Sequence, residues 1–91
     1  MIKKISFPLE EIEQLKAQDC LITTRVSREY NRYHVGEIVT PPWKQLYIVT
    51  HVQKIKHIKE HPYYSELTNN QIQLISKYKR IDVLTLKRYS Q

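Results

Sequence analysis

Leu21-Ile22-Thr23-Thr24-Arg25-Val26 is a short run in which β-branched residues dominate, and it reads as a strand. Successive side chains on a strand point to opposite faces, so Thr23 and Arg25 share one face and Thr24 points to the other. Upstream, Ser6 and Pro8 suggest a helix start, because Ser caps free N–H groups and Pro tolerates the first turn. Leu9, Ile12, Leu15 and Lys16 then recur at helical spacing, with Glu10, Glu11 and Glu13 near the positive helix end. This predicts a helix over about residues 8–18. Downstream, residues 27–37 are polar and contain Gly36, the only glycine, at a place where the backbone needs an angle other residues resist.

Ile38-Val39-Thr40 predicts a brief strand stopped by Pro41-Pro42. Residues 46–55 give the longest strand signal, with Leu46, Ile48 and Val52 on one face and Tyr47 and Val49 on the other. The alternation drifts near His51, which marks a bulge. Pro62 makes residues 57–66 loop or short turns. Thr68-Asn69-Asn70-Gln71 fits a capping box, and Ile72, Leu74, Ile75 and Tyr78 carry a helix over about 69–78. Residues 81–87 form a last, buried strand. The order of helix, strand, strand, long strand, helix, strand describes an α+β chain. It fits a small β-barrel of five or six mostly antiparallel strands with two helices, and not a parallel sheet.

Ninety-one residues make a single domain, 1–91, with a thin core. No apolar run approaches the roughly 18–20 residues that span a bilayer. The start, Met1-Ile2-Lys3-Lys4-Ile5, lacks the apolar stretch of a signal peptide. One cysteine, Cys20, excludes an internal disulfide. The expected location is cytoplasmic, with no membrane contact. Charge is uneven: residues 1–19 hold three bases and four acids, and residues 20–91 hold twelve bases and five acids, giving +6 overall. A field of this sign attracts polyanions, or simply keeps a lysine-rich surface solvated.

With these elements placed, the chain resembles the ASCH domain, a branch of the PUA-like superfamily. That family carries a Gly-x-Lys-x-x-Thr-x-Arg segment where a helix enters the first strand, followed by an aromatic, two residues, and Gly-Asp or Gly-Glu. The second pattern is met by Tyr33-His34-Val35-Gly36-Glu37. In the first, Thr23 and Arg25 stand at the Thr and Arg positions, while Gln18 and Cys20 replace Gly and Lys. The resemblance covers about residues 9–88. It implies a PUA-like barrel, with RNA or a nucleotide as the ligand and DNA as a further candidate. One branch of the family hydrolyses N4-acetylcytidine through the motif lysine, the threonine and a later glutamate. Here Thr23 and Glu66 would fill two of those roles, but Cys20 has no ammonium to act as base or to stabilise an oxyanion.

Arg25 offers a rigid fork for phosphate or a base edge, or else pairs internally with Glu37 or Glu66. Arg28, Tyr30, Arg32 and Tyr33 alternate guanidinium and aromatic groups, as surfaces that hold unstacked bases do, although Tyr33 also suits a core. Of Tyr63 and Tyr64 one packs inward and the other faces a ligand, and Tyr64 is the residue assigned to the site. Trp43 is either a stacking platform or a cover for the barrel end. Lys54 and Lys56 share a strand face and would form a rail for phosphates, or guard an edge. His57-Ile58-Lys59-Glu60-His61 spells His-x-x-Glu-His, but Pro62 limits the helix that zinc chemistry requires. No metal or cofactor is expected. The reading is a basic, non-catalytic RNA- or nucleotide-binding cleft beside the first strand. A small amidohydrolase and a protein-interaction module are the alternatives.

Overall fold

The computed structural model describes residues 2–90. Along them the chain forms β1 (Lys3–Lys4), α1 (Leu9–Leu15), β2 (Cys20–Val26), β3 (Ile38–Thr40), β4 (Tyr47–Ile55), α2 (Asn69–Ser76) and β5 (Ile81–Arg88). Single 3-10 turns occur at Ser27–Glu29, Ile58–Glu60 and Tyr64–Glu66. The sheet has five strands in the order β1-β3-β4-β5-β2. Only the β1–β3 pairing is parallel; the other three are antiparallel. The sheet curls into a half-barrel, so the chain is an α+β domain with a barrel-like sheet and two helices.

The curl gives the sheet two faces with separate apolar clusters. On the inner face Leu21, Tyr47, Val49, Leu84 and Leu86 pack with Ile5, Tyr33 and Val39, and Phe7, Leu15, Trp43 and Val52 close over them. On the outer face Ile55, Ile81 and Val83 meet Val26 and, from α2 and the segment after it, Ile75 and Tyr78. A bulge lies between Val49 and His51, where the sequence pattern drifts. The inserted residue changes the predicted faces: Val52 lies opposite Leu84 and joins Tyr47 and Val49, not Ile48. The same shift turns Lys54 onto the inner face, opposite Asp82.

Tyr33 is core, 1% exposed, and its hydroxyl donates to the Lys4 carbonyl at 3.3 Å. Burial, with a contribution from Glu29, pushes its phenol up to about 12, so it remains a donor at every physiological pH. Gly36 adopts φ +92, while nothing lies within 4 Å of where a Cβ would stand. The backbone angle alone therefore calls for glycine. It lets Gly36 N–H donate to Val49 O at 2.8 Å and Val49 N–H to Glu37 O at 2.9 Å, extending the β3–β4 ladder.

The Thr68 capping box forms as expected. Thr68 Oγ1 accepts from Gln71 N–H at 3.2 Å, and Gln71 Oε1 accepts from Thr68 N–H at 2.9 Å. Ser6 does not cap α1. Pro8 is the N-cap residue, with no side-chain capping bond, and Ser6 offers its carbonyl to Arg25 instead. At the other end of α1, Arg88 donates to Lys16 O at 3.0 Å and Gln18 O at 3.2 Å, terminating the helix earlier than its periodicity suggests. Among the described residues no helix is long and apolar enough to cross a membrane.

Candidate functional site

A cleft of about 1040 Å³ runs along β2, bounded by α1 on one side and by the Tyr64–Glu66 turn and α2 on the other. Because β2 is the last strand of the sheet, residues of both its faces reach the cleft: Thr23 and Arg25 from the inner face, Cys20, Ile22 and Thr24 from the outer. Glu66 enters from the opposite wall. The fold thus gathers Cys20, Thr23, Arg25 and Glu66, which are more than 40 residues apart at their extremes, around one hollow.

Arg25 is half-buried, and its Nη2 donates to Ser6 O at 2.8 Å. Its guanidinium carbon lies 4.9 Å from the centre of the Phe7 ring, a cation–π arrangement. Its Nε is buried and has no hydrogen-bond partner. Burial lowers the pKa of the group, opposed by Tyr33, Glu29 and Glu11. Among the described residues Arg25 forms no ion pair. Glu37, one of the partners considered from sequence, is taken by Lys3 at 2.9 Å and by His34 N–H at 2.7 Å. Those bonds, the Lys3 one foremost, hold its carboxyl below the usual range.

His61 closes the wall beside Thr24. Its Nδ1 accepts from Tyr63 N–H at 3.0 Å, so in the neutral ring the proton sits on Nε2, 3.1 Å from Thr24 Oγ1. Burial draws its pKa below the ordinary histidine value, which favours that neutral form. His57 plays a different part: its ring accepts from Lys59 N–H at 3.1 Å and, together with Glu60, caps a 3-10 turn. The His-x-x-Glu-His spelling therefore corresponds to a turn cap and a cleft wall.

The remaining predicted residues lie outside the cleft. Lys54 is bound to the fully buried Asp82 at 2.9 Å and sits 4.4 Å over the Tyr30 ring, so both are engaged with each other. Asp82 also accepts Asn31 N–H at 2.6 Å, which pins the Ser27–Asn31 segment to the sheet. Lys56 lies beyond the end of β4, exposed, with its N–H on Glu60 at 2.8 Å. Lys54 and Lys56 therefore do not form a rail. Arg28 and Arg32 are exposed, and Arg32 approaches Glu29 at 3.8 Å and the Tyr33 ring at 5.9 Å. Tyr63, not Tyr64, lines the cleft. Trp43 packs between Phe7 and Tyr47 at centroid distances of 5.6 and 6.1 Å, as part of the barrel cover.

Charge is distributed differently from the expected basic cleft. The lining carries the carboxylates of Glu10, Glu11 and Glu66 against the one guanidinium of Arg25. Three of the cations are carried away from one end of the sheet. The register places Val26 opposite Ile81 and Ile81 opposite Ile55, so the chain segments bearing Arg28, Arg80 and Lys56 leave from the same end. Glu10, Glu11 and Tyr63 were missed as cleft residues. The two acids carry only a helix-start signal in the sequence, and nothing local distinguishes Tyr63 from Tyr64. No protein-family model, curated protein or solved structure matches the chain.

Proposed function

We propose that the protein is an RNA- or nucleotide-binding domain of the ASCH, PUA-like kind, in which an unpaired base or nucleoside enters the cleft and the phosphates lie at the sheet end that Arg28, Lys56 and Arg80 adjoin. The observation that carries this reading is the convergence of Thr23, Arg25 and Glu66 on one cleft, with Arg25 outside any ion pair among the described residues. A half-desolvated guanidinium outside any ion pair can give its accessible N–H groups to a ligand carbonyl or base edge. Thr23 supplies a hydroxyl beside it, and Tyr63, 45% exposed, offers a stacking surface at the rim. The three carboxylates keep phosphate out of the hollow and direct it to Arg28, Lys56 and Arg80.

The test is a salt-titrated binding assay with short single-stranded RNA. Affinity falls as salt rises, because phosphate contacts release counterions. Replacing Lys56 and Arg80 by Gln weakens binding and flattens the salt slope by about 1–2. A salt-independent affinity, or a slope unchanged by these substitutions, would count against the reading. The same cleft brings Cys20, Thr23 and Glu66 together, so incubation with N4-acetylcytidine checks the amidohydrolase alternative. Without an ammonium at position 20, no release of cytidine is expected.

A further inference from the structure

The two edges of the sheet are built differently. β1, at one edge, is two residues long and both are lysines, the short charged form that resists pairing with another chain. β2, at the other edge, is seven residues long and pairs only with β5. No other backbone–backbone hydrogen bond among the described residues reaches Cys20–Val26. It contains no proline or lysine, and the side chain of its one charged residue, Arg25, is turned to Ser6 and Phe7.

This open edge lies at the floor of a groove with two unlike walls. Phe7 and α1 cover the inner-face side, where Glu10 and Glu11 stand. α2 covers the outer-face side, where Ile22 and Leu74 are 37% and 66% exposed. With Glu66, the carboxylates outnumber Arg25 three to one, in a chain whose net charge is +6. The acidic walls repel phosphate and oppose a second copy docked groove to groove; they complement a cationic chain.

We propose that the edge of β2 takes up an extended, basic peptide segment of a partner protein as an added strand. Its lysine or arginine side chains point to α1 and its apolar side chains to Ile22 and Leu74. Main-chain hydrogen bonds to β2 provide affinity and the two walls provide selectivity, the mode of β-strand addition. Seven residues at about 3.3 Å each give roughly 23 Å of edge, enough for a peptide of about seven residues. This surface goes beyond the nucleotide reading and does not rest on it.

The probe is a dye-labelled peptide of alternating Lys and Val, seven residues long, followed by fluorescence anisotropy and by amide hydrogen exchange. Three comparisons accompany it: a Glu/Val peptide, a Lys/Val peptide with alternate amides N-methylated, and the variants Leu74→Asn and Glu10→Gln/Glu11→Gln. The expected result is binding of the unmodified Lys/Val peptide with slowed exchange at alternate residues of Cys20–Val26. The Glu/Val and N-methylated peptides bind at least about tenfold more weakly, and both variants lose affinity. Absence of binding, equal binding of the N-methylated peptide, or protection lying outside β2 would overturn the proposal. So would slowing of the same alternate amides by self-association of the protein without peptide.

Discussion

At Arg25 the energetic question is what a guanidinium gains when it is drawn partly out of water without a carboxylate. Ser6 O and the Phe7 ring compensate part of the loss, and Nε remains unpaired. Arg25→Ala should therefore cost stability only about 1 kcal/mol, the net value of a typical hydrogen bond. It should cost RNA affinity about 1.5–3 kcal/mol, roughly 10- to 150-fold, if the group bonds the ligand through a charged contact. Thermal melting and a binding titration on the same variant separate the two, and equal affinity would remove Arg25 from the site. His61 carries the second prediction at this scale. Its folded pKa is depressed by burial below the ordinary 6.5, so the unfolded chain takes up its proton first as pH falls. The stability contributed by the neutral ring is complete above 6.5 and is lost as pH drops below that value toward the folded pKa. Denaturation midpoints should decline through that window, and His61→Gln should flatten the decline. Sequence alone singled out Thr23 and Arg25 because alternation on a strand fixes their common face. It could not place Lys54, whose partner Asp82 is 28 residues away and is set by cross-strand register.

Among the elements, the strands were legible within about one residue wherever apolar and β-branched residues alternate, as in β2, β3, β4 and β5. β1 was not, because two lysines carry no pattern and the strand exists only through its pairing with β3. The end of α1 was also hidden, being set by Arg88 from the far end of the chain. Two local signals were readable and can be tested as such. Thr68→Ala removes one half of the capping box of α2 and should cost about 1 kcal/mol in chemical denaturation. Gly36→Ala meets open space, so its cost is strain alone, about 1–3 kcal/mol at a φ of +92. A Gly36→Ala variant as stable as the parent would show that the turn relaxes to another conformation.

For the whole molecule, the net charge of +6 was readable from composition, but its placement was not. Folding lines a groove along β2 with Glu10, Glu11 and Glu66 and carries Arg28, Lys56 and Arg80 away from the sheet end where β2 and β4 finish and β5 begins, a division invisible until strand directions are known. In the proposed complex the base of a nucleic-acid ligand enters this groove at Thr23 and Arg25 while its phosphates stay at Arg28, Lys56 and Arg80. The most direct measurement is a titration of isotope-labelled protein with a short single-stranded RNA, following backbone amide NMR shifts residue by residue. Base entry should give shifts at Thr23, Thr24, Arg25, Tyr63 and Glu66 together with Arg28, Lys56 and Arg80. Shifts confined to Arg28, Lys56 and Arg80, with the groove amides unmoved at saturation, would rule out base entry.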